Sequence, residues 1–172
     1  MKFAHLADCH LDGWRQPELN MLNLQSFQKT VAICIKEKVD FMLIAGDLFD
    51  SSYPSIDILK EAFKEFRRLN EANIPVFIIA GSHDYSATGR TFLDVLEKAG
   101  FCKNVANYEE RNGYIVLQPT IYKNVAIYGY PGKKSGLEVD EIEGIKLQDS
   151  PGLFKILMLH TTIKSVVSNP KI

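Results

Sequence analysis

The chain has 172 residues, and 46 % of them are apolar, which suits one domain with a sizeable core. A net charge of −1 and a sequence pI of about 6.4 exclude the global basic field that holds nucleic acid by charge alone. No run reaches the length of a membrane span, and Lys2 is not followed by the unbroken apolar stretch of a signal peptide. Cys9, Cys34 and Cys102 form no C-x-x-C pair, a pattern that fits reduced thiols and a cytoplasmic location.

Lys2–Ala7 (KFAHLA) reads as a first strand, followed by a polar loop from Leu11 to Asn20. Leu24, Phe27, Val31, Ile35 and Val39 then recur at helical spacing, with Cys34 on the same apolar face. Phe41–Ala45 (FMLIA) is a second strand. Pro54 and Ser55 suit a helix start, and Ile56, Leu59, Phe63, Phe66 and Leu69 carry that helix toward Ala72. Pro75–Ala80 is a third strand, and a shorter helix over Thr91–Ala99 is stopped by Gly100. The opening is therefore β-α-β-α-β-α, the pattern of a parallel sheet with crossover helices. Beyond it, Tyr114–Gln118 and Asn124–Tyr128 read as strands with a turn at Pro119. Lys133–Gln148 reads as a polar surface segment with at most a short helix. Ile156–Leu159 is one more buried strand, and Thr161–Ile172 shows no period.

Polar clusters follow directly on four of these short apolar runs: Asp8-Cys9-His10, Gly46-Asp47, Gly81-Ser82-His83-Asp84 and His160. Ligands of an open α/β sheet gather outside the carboxyl ends of its strands. Carboxylates and imidazoles from four strands should thus share one rim, where uncompensated acids would repel. A divalent metal, or a pair, resolves that repulsion. Asp8 and His10 are two residues apart, so strand alternation would point both the same way and send Cys9 the other. Gly46 permits a sharp turn before Asp47. Asp50 suits either a turn or a partner for a neighbouring imidazole, and His83 suits a metal ligand, a general acid or a plain loop residue. His5, inside the first strand, reads as structural. Trp14, Tyr53 and Tyr85 read as half-buried loop anchors near the rim.

Asp8-x-His10, Gly46-Asp47-x-x-Asp50, Gly81-x-His83-Asp84 and His160 resemble the signature of the calcineurin-like metallophosphoesterases. The text around them (KFAHLADCHL, FMLIAGDLFDSS, IPVFIIAGSHD, KILMLH) is similar to the Mre11/SbcD nuclease branch. The resemblance implies a layered β-sandwich flanked by helices and a site for two divalent ions, manganese in this branch, that hydrolyses phosphodiesters. Carried over, Asp8 and His10 hold the first ion, Asp47 bridges both, and Ser82 and His160 face the second. His83 contacts phosphate and protonates the leaving oxygen, with Asp50 as its carboxylate partner. The implied partners are DNA, an ATPase of the Rad50/SbcC type, and a second copy of the chain through the helices after the first two strands.

The sequence departs from that pattern twice. Ser82 stands where the family usually has Asn, so a hydroxyl replaces an amide oxygen. No His follows His160, so the later motif that gives each metal one more imidazole is absent from residues 1–172. We therefore expect the phosphoesterase domain, 1–172, to lack its C-terminal part. Two other functions compete with the DNA nuclease. One is hydrolysis of small phosphoesters or nucleotides, which the near-neutral charge fits equally well. The other is a metal-poor, inactive binding module.

Overall fold

The structure, a computed structural model, describes residues 1–86, 89, 91–133 and 141–162. Its first half follows the expected order: β1 (Phe3–Leu6), α1 (Pro17–Lys36), β2 (Phe41–Ala45), α2 (Ile56–Glu71), β3 (Val76–Ile79) and α3 (Phe92–Lys98). Together with β4 (Lys103–Asn104), these strands form a parallel sheet in the order β1-β2-β3-β4. The second half adds β5 (Tyr108–Arg111), β6 (Tyr114–Leu117), β7 (Thr120–Tyr122), β8 (Val125–Tyr130), β9 (Ile145–Leu147) and β10 (Phe154–Leu159). Strands β10-β8-β7 make a second sheet and β5-β6-β9 a third.

Side-chain alternation turns this order into layers, because successive residues of a strand face opposite sides. On β2, Met42 and Ile44 pack toward the helices with Phe27, Val31, Ala62 and Phe66. Phe41, Leu43 and Ala45 face the other way, onto Val125, Ile127 and Met158 of the second sheet. Strand β8 repeats the device: Ala126, Tyr128 and Tyr130 turn to Leu117 in a third cluster. The result is helices, parallel sheet, second sheet and third sheet, the flanked sandwich that the family resemblance implies. Strand β2 is buried on both faces, which is why it reads as a continuous apolar run.

Several expectations shift by identifiable causes. Helix α1 begins at Pro17, so the residues assigned to the end of the first loop form its first turn, with proline at the start and Glu18 favoured by the helix dipole. It stops at Lys36, Lys38 takes a left-handed conformation, and Val39 turns into the core beyond the helix. Helix α2 is capped by Ser55, whose hydroxyl accepts from the Ile58 N–H. Its first residue, Ile56, is exposed rather than part of the buried stripe, while Ile58 and Ala62 fill that face. Leu24 and Phe27 are core residues and Phe63 packs against the core. The side chains α1 leaves outside are Leu19, Met21, Leu22 and Ile33. Strands β6 and β8 are not paired with each other: Pro119 passes the chain from the third sheet to the second, and β7 supplies the hairpin partner of β8. The segment expected to be surface contributes β9, and its residues 134–140 lie outside the described residues, as do 163–172 of the tail. Among the described residues no helix is long and apolar enough to cross a membrane.

Phe66 is fully buried at the junction of α2 with α1 and the parallel sheet. Phe66→Ala is expected to cost about 3–5 kcal/mol in denaturant titration. Tyr53→Ala, at a side chain that is 73 % exposed, should stay within about 0.5 kcal/mol.

Candidate metal centre

Strands β1, β2, β3 and β10 deliver Asp8, Asp47, Ser82 with His83, and His160 from their carboxyl ends. The local geometry differs from a simple strand extension. Strand β1 ends at Leu6, and Asp8 and His10 lie past it, both at positive φ (54° and 43°). Alternation along a strand is therefore not what pairs them. The loop instead runs beside the one after β2 and is tied to it by Asp8 N–H to the Gly46 carbonyl (3.1 Å), His10 N–H to Asp47 (3.0 Å) and Leu11 N–H to Leu48 (3.0 Å). Asp47 is itself left-handed at φ 50°. Asp and His tolerate this region better than most residues, and such backbone clusters where function needs it.

Three imidazoles are fixed in the same way. His10 Nδ1 lies 2.8 Å from Asp50 Oδ1, His83 Nδ1 lies 2.8 Å from the Asp50 carbonyl, and His160 Nδ1 lies 2.9 Å from the Ala45 carbonyl. Each partner can only accept, so each Nδ1 carries the proton and each Nε2 is left for the site. His160 Nε2 stands 3.2 Å from Asp47 Oδ2. His10 Nε2 stands 3.8 Å from Asp8 Oδ1 and 3.9 Å from Asp47 Oδ2. Ligand atoms of Asp8, His10 and Asp47 all fall within 4.8 Å of one another, as do those of His10, Asp50 and His83. A mixed O/N set with its imidazoles held from behind fits a divalent cation.

The carboxylate partner expected for His83 takes another form. The carboxylate of Asp50 is committed to His10 and lies 3.7 Å from His83 Nδ1; the main-chain oxygen of Asp50 orients His83 instead. One residue thus positions both rings, which meet edge to face with centroids 4.9 Å apart. His83 is the most open of the three, 47 % exposed against 30 % and 16 % for His10 and His160. Ser82 Oγ donates to Asp47 Oδ2 at 3.4 Å.

Asp47 is the buried centre. Burial opposes its charge, but His160 and the His83 N–H, which donates to Oδ1 at 2.8 Å, hold its pKa below the ordinary carboxylate value. Reciprocally, the Asp47 carboxylate pushes the pKa of His160 up to about 9, against the opposing effect of burial. Asp84, a residue type that often orients a loop by bonding its backbone, does so here and also links two loops. Its oxygens accept from Gly81 N–H (2.9 Å) and Phe49 N–H (3.2 Å). Burial pushes it up to about 6 while those bonds pull it down. Asp12 was missed: it accepts from Ser55 N–H (2.8 Å) and Asn20 (3.0 Å), joining the start of α2 to that of α1. A polar residue at the head of a loop, with helix starts on both sides, was the available signal. Cys9 packs against the main core, and burial, with Asp84 and Asp8, pushes its thiol up to about 12.

Two cavities flank β1. One, of about 760 Å³, is bordered by Asp8, His10, Trp14, Asn23 and Asp50. The other, of about 450 Å³, is bordered by Asp8, Ser82, Lys133 and His160. His5, read as structural, is exposed and borders both. Trp14 and Tyr53 are more exposed than half-buried anchors would be, at 52 % and 73 %, whereas Tyr85 packs on the core.

The sequence profile of the calcineurin-like phosphoesterases matches residues 1–169. Among curated proteins, the chain is 39 % identical over 187 residues to the DNA double-strand break repair protein Mre11 of Methanocaldococcus jannaschii, covering 97 % of this chain and 45 % of that one. It is 30 % identical over 175 residues to the Mre11 of Saccharolobus solfataricus, covering 97 % and 42 %. Against the Mre11 of Archaeoglobus fulgidus the identity is 29 % over 181 residues, covering 97 % and 40 %. The chain spans less than half the length of these relatives.

The His160–Asp47 pair makes metal-free stability pH-dependent. A histidine raised from its usual 6.5 to about 9 contributes stabilisation that is complete below pH 6.5 and lost as pH rises through about 9. Urea titration of the metal-free chain should show lower stability at pH 9.5 than at pH 6.5, and Asp47→Asn should flatten that slope. Gly46 sits at φ +91°, and a Cβ there would stand 2.3 Å from His160 Nδ1. Gly46→Ala is expected to displace the ring and weaken divalent-ion affinity at least tenfold by calorimetry.

Proposed function

This chain belongs to the calcineurin-like phosphoesterase family, and on that premise we propose that it hydrolyses DNA phosphodiesters in double-strand break repair, as a metal-dependent nuclease of the Mre11/SbcD type. One observation carries the reading: His10 and His160, each anchored through Nδ1, turn Nε2 toward the buried Asp47, with Asp8 beside them. The names of the Mre11 relatives support the DNA substrate and the repair role.

Residues 1–172 form one phosphoesterase unit in this reading. Asp8 and His10 would hold one ion, Ser82 and His160 a second, with Asp47 between them and Mn²⁺ as the ion of choice. Divalent ions, when bound, supply the charge that holds the phosphate and lower the pKa of an attacking water. The chain's own residues do the rest. Asp50 holds His10 through its carboxylate and His83 through its carbonyl, so that one short loop sets both rings. His83, anchored through Nδ1 and 47 % exposed, delivers a proton to the leaving oxygen. Gly81 lets the loop after β3 close onto Asp47, since a Cβ there would stand 2.2 Å from Asp47 Oδ1.

The near-neutral net charge makes phosphate recognition local to the site rather than spread over the surface. The apolar residues α1 leaves exposed, Leu19, Met21 and Leu22, support a face for a second copy of the chain. An ATPase partner of the Rad50/SbcC type follows from the same family reading.

The test is a Mn²⁺ titration by calorimetry alongside cleavage of duplex and single-stranded DNA. His83→Gln should lower turnover about 10²–10⁴-fold while metal affinity stays within twofold. Asp8→Asn should lose both metal binding and turnover. Activity on a small phosphodiester with none on any DNA would overturn the nuclease reading.

A further inference from the structure

The loop after β8 enters the site from a side that the family motifs do not cover. Its course is fixed by Gly132, whose N–H donates to the Ala80 carbonyl at the end of β3 (3.0 Å). A Cβ at Gly132 would stand 2.6 Å from His160 Cδ2, so the backbone there lies directly on the imidazole. The next residue, Lys133, consequently emerges beside His160, on the wall of the cavity of about 450 Å³ that Asp8 and Ser82 also border. It is not left to wander: Nζ lies 2.6 Å from Glu141 Oε1. Glu141 is held in turn by the hydroxyl of Tyr130, a side chain that is 1 % exposed. Lys133 and Tyr130 together keep the Glu141 carboxyl below its ordinary range, so it stays charged at neutral pH.

An ammonium in that place has a use. Asp8 borders the cavity and Asp47 contacts its His160, and both carboxylates disfavour anions in the metal-free site; where divalent ions offset them, a fixed cation on the cavity wall favours an oxyanion. Ser82 leaves that wall with a short neutral side chain, and His160 is neutral once it ligates an ion, so among the described residues bordering the cavity the fixed cation is Lys133. Lysine suits phosphate as a compact charge on a flexible stem, and Glu141 limits where that charge sits.

We propose that Lys133 binds a non-bridging oxygen of the scissile phosphate from the Ser82–His160 side of the site, positioned by Glu141 and Tyr130. The role rests on the phosphodiesterase reading above, and it makes Lys133 a substrate-binding residue outside the metal-ligand set.

The experiment uses the full chain with Mn²⁺ and, as probe, inorganic phosphate, read by calorimetry for wild type, Lys133→Ala and Lys133→Arg. Wild type should bind phosphate only when Mn²⁺ is present. Lys133→Ala should weaken phosphate about tenfold or more, and Lys133→Arg should keep it within threefold. The Mn²⁺ isotherm should be the same in all three. In kinetics, Lys133→Ala should raise KM for both a small phosphodiester and an oligonucleotide. A loss confined to the oligonucleotide would move Lys133 to a flanking phosphate and overturn the assignment, as would unchanged phosphate affinity or a parallel loss of Mn²⁺. If wild type cleaves neither substrate yet binds phosphate in a Lys133-dependent way, the phosphodiesterase reading falls and the anion site stands.

Discussion

A buried carboxylate needs compensation, and Asp47 sets the terms for everything around it. The side chain is enclosed at the end of β2, beneath loops from three other strands. His160 comes from β10 in the second sheet to meet one oxygen, and the His83 N–H from the loop after β3 meets the other. The two sheets of the sandwich are therefore joined at this rim by charge as well as by the apolar layer beneath it. An ion pair so enclosed is strong where it stands and damaging when one member is removed. A metal site built on such a pair exchanges one cation, the imidazole proton, for another.

The backbone is shaped to that end. Asp8, His10 and Asp47 all sit at positive φ, and the first two are held there by main-chain bonds to the loop after β2. Asp84 reaches from the loop after β3 to the N–H groups of Gly81 and Phe49. The three loops thus hold one another, and the strain at Asp8, His10 and Asp47 is offset by the bonds that tie these loops together.

Much of this could be read from residue order. Short apolar runs each ending in Gly or a polar cluster mark the parallel strands; β2 and β3 are buried throughout, and β2 matched its expected bounds because both of its faces are covered, whereas β1 and β10, at the edges of their sheets, are not the buried strands expected. The helices were legible from spacing, except where Pro17 starts a turn inside a polar loop. Two strands of the third sheet were not: β5 (Tyr108–Arg111) is polar and exposed, and β9 (Ile145–Leu147) is only three residues long, too short to show a period. At the site, residue types were legible but pairings were not. The family resemblance pairs Asp50 with His83, yet only the folded loop shows its carboxylate turned to His10 and its carbonyl to His83. Lys133 had no motif at all; its position follows from the contact of Gly132 with His160, a long-range fact of the fold.

The central claim is that the Nε2 atoms of His10 and His160 both face Asp47 and would each hold one of two neighbouring divalent ions there. The most direct measurement is anomalous scattering from crystals of the chain grown with Mn²⁺. The account predicts Mn²⁺ against Asp47, with the Nε2 atoms of His10 and His160 as ligands and each Nδ1 still bound to Asp50 or the Ala45 carbonyl. Mn²⁺ held by Nδ1, or sited away from Asp47 with the Asp47–His160 pair intact, would contradict it.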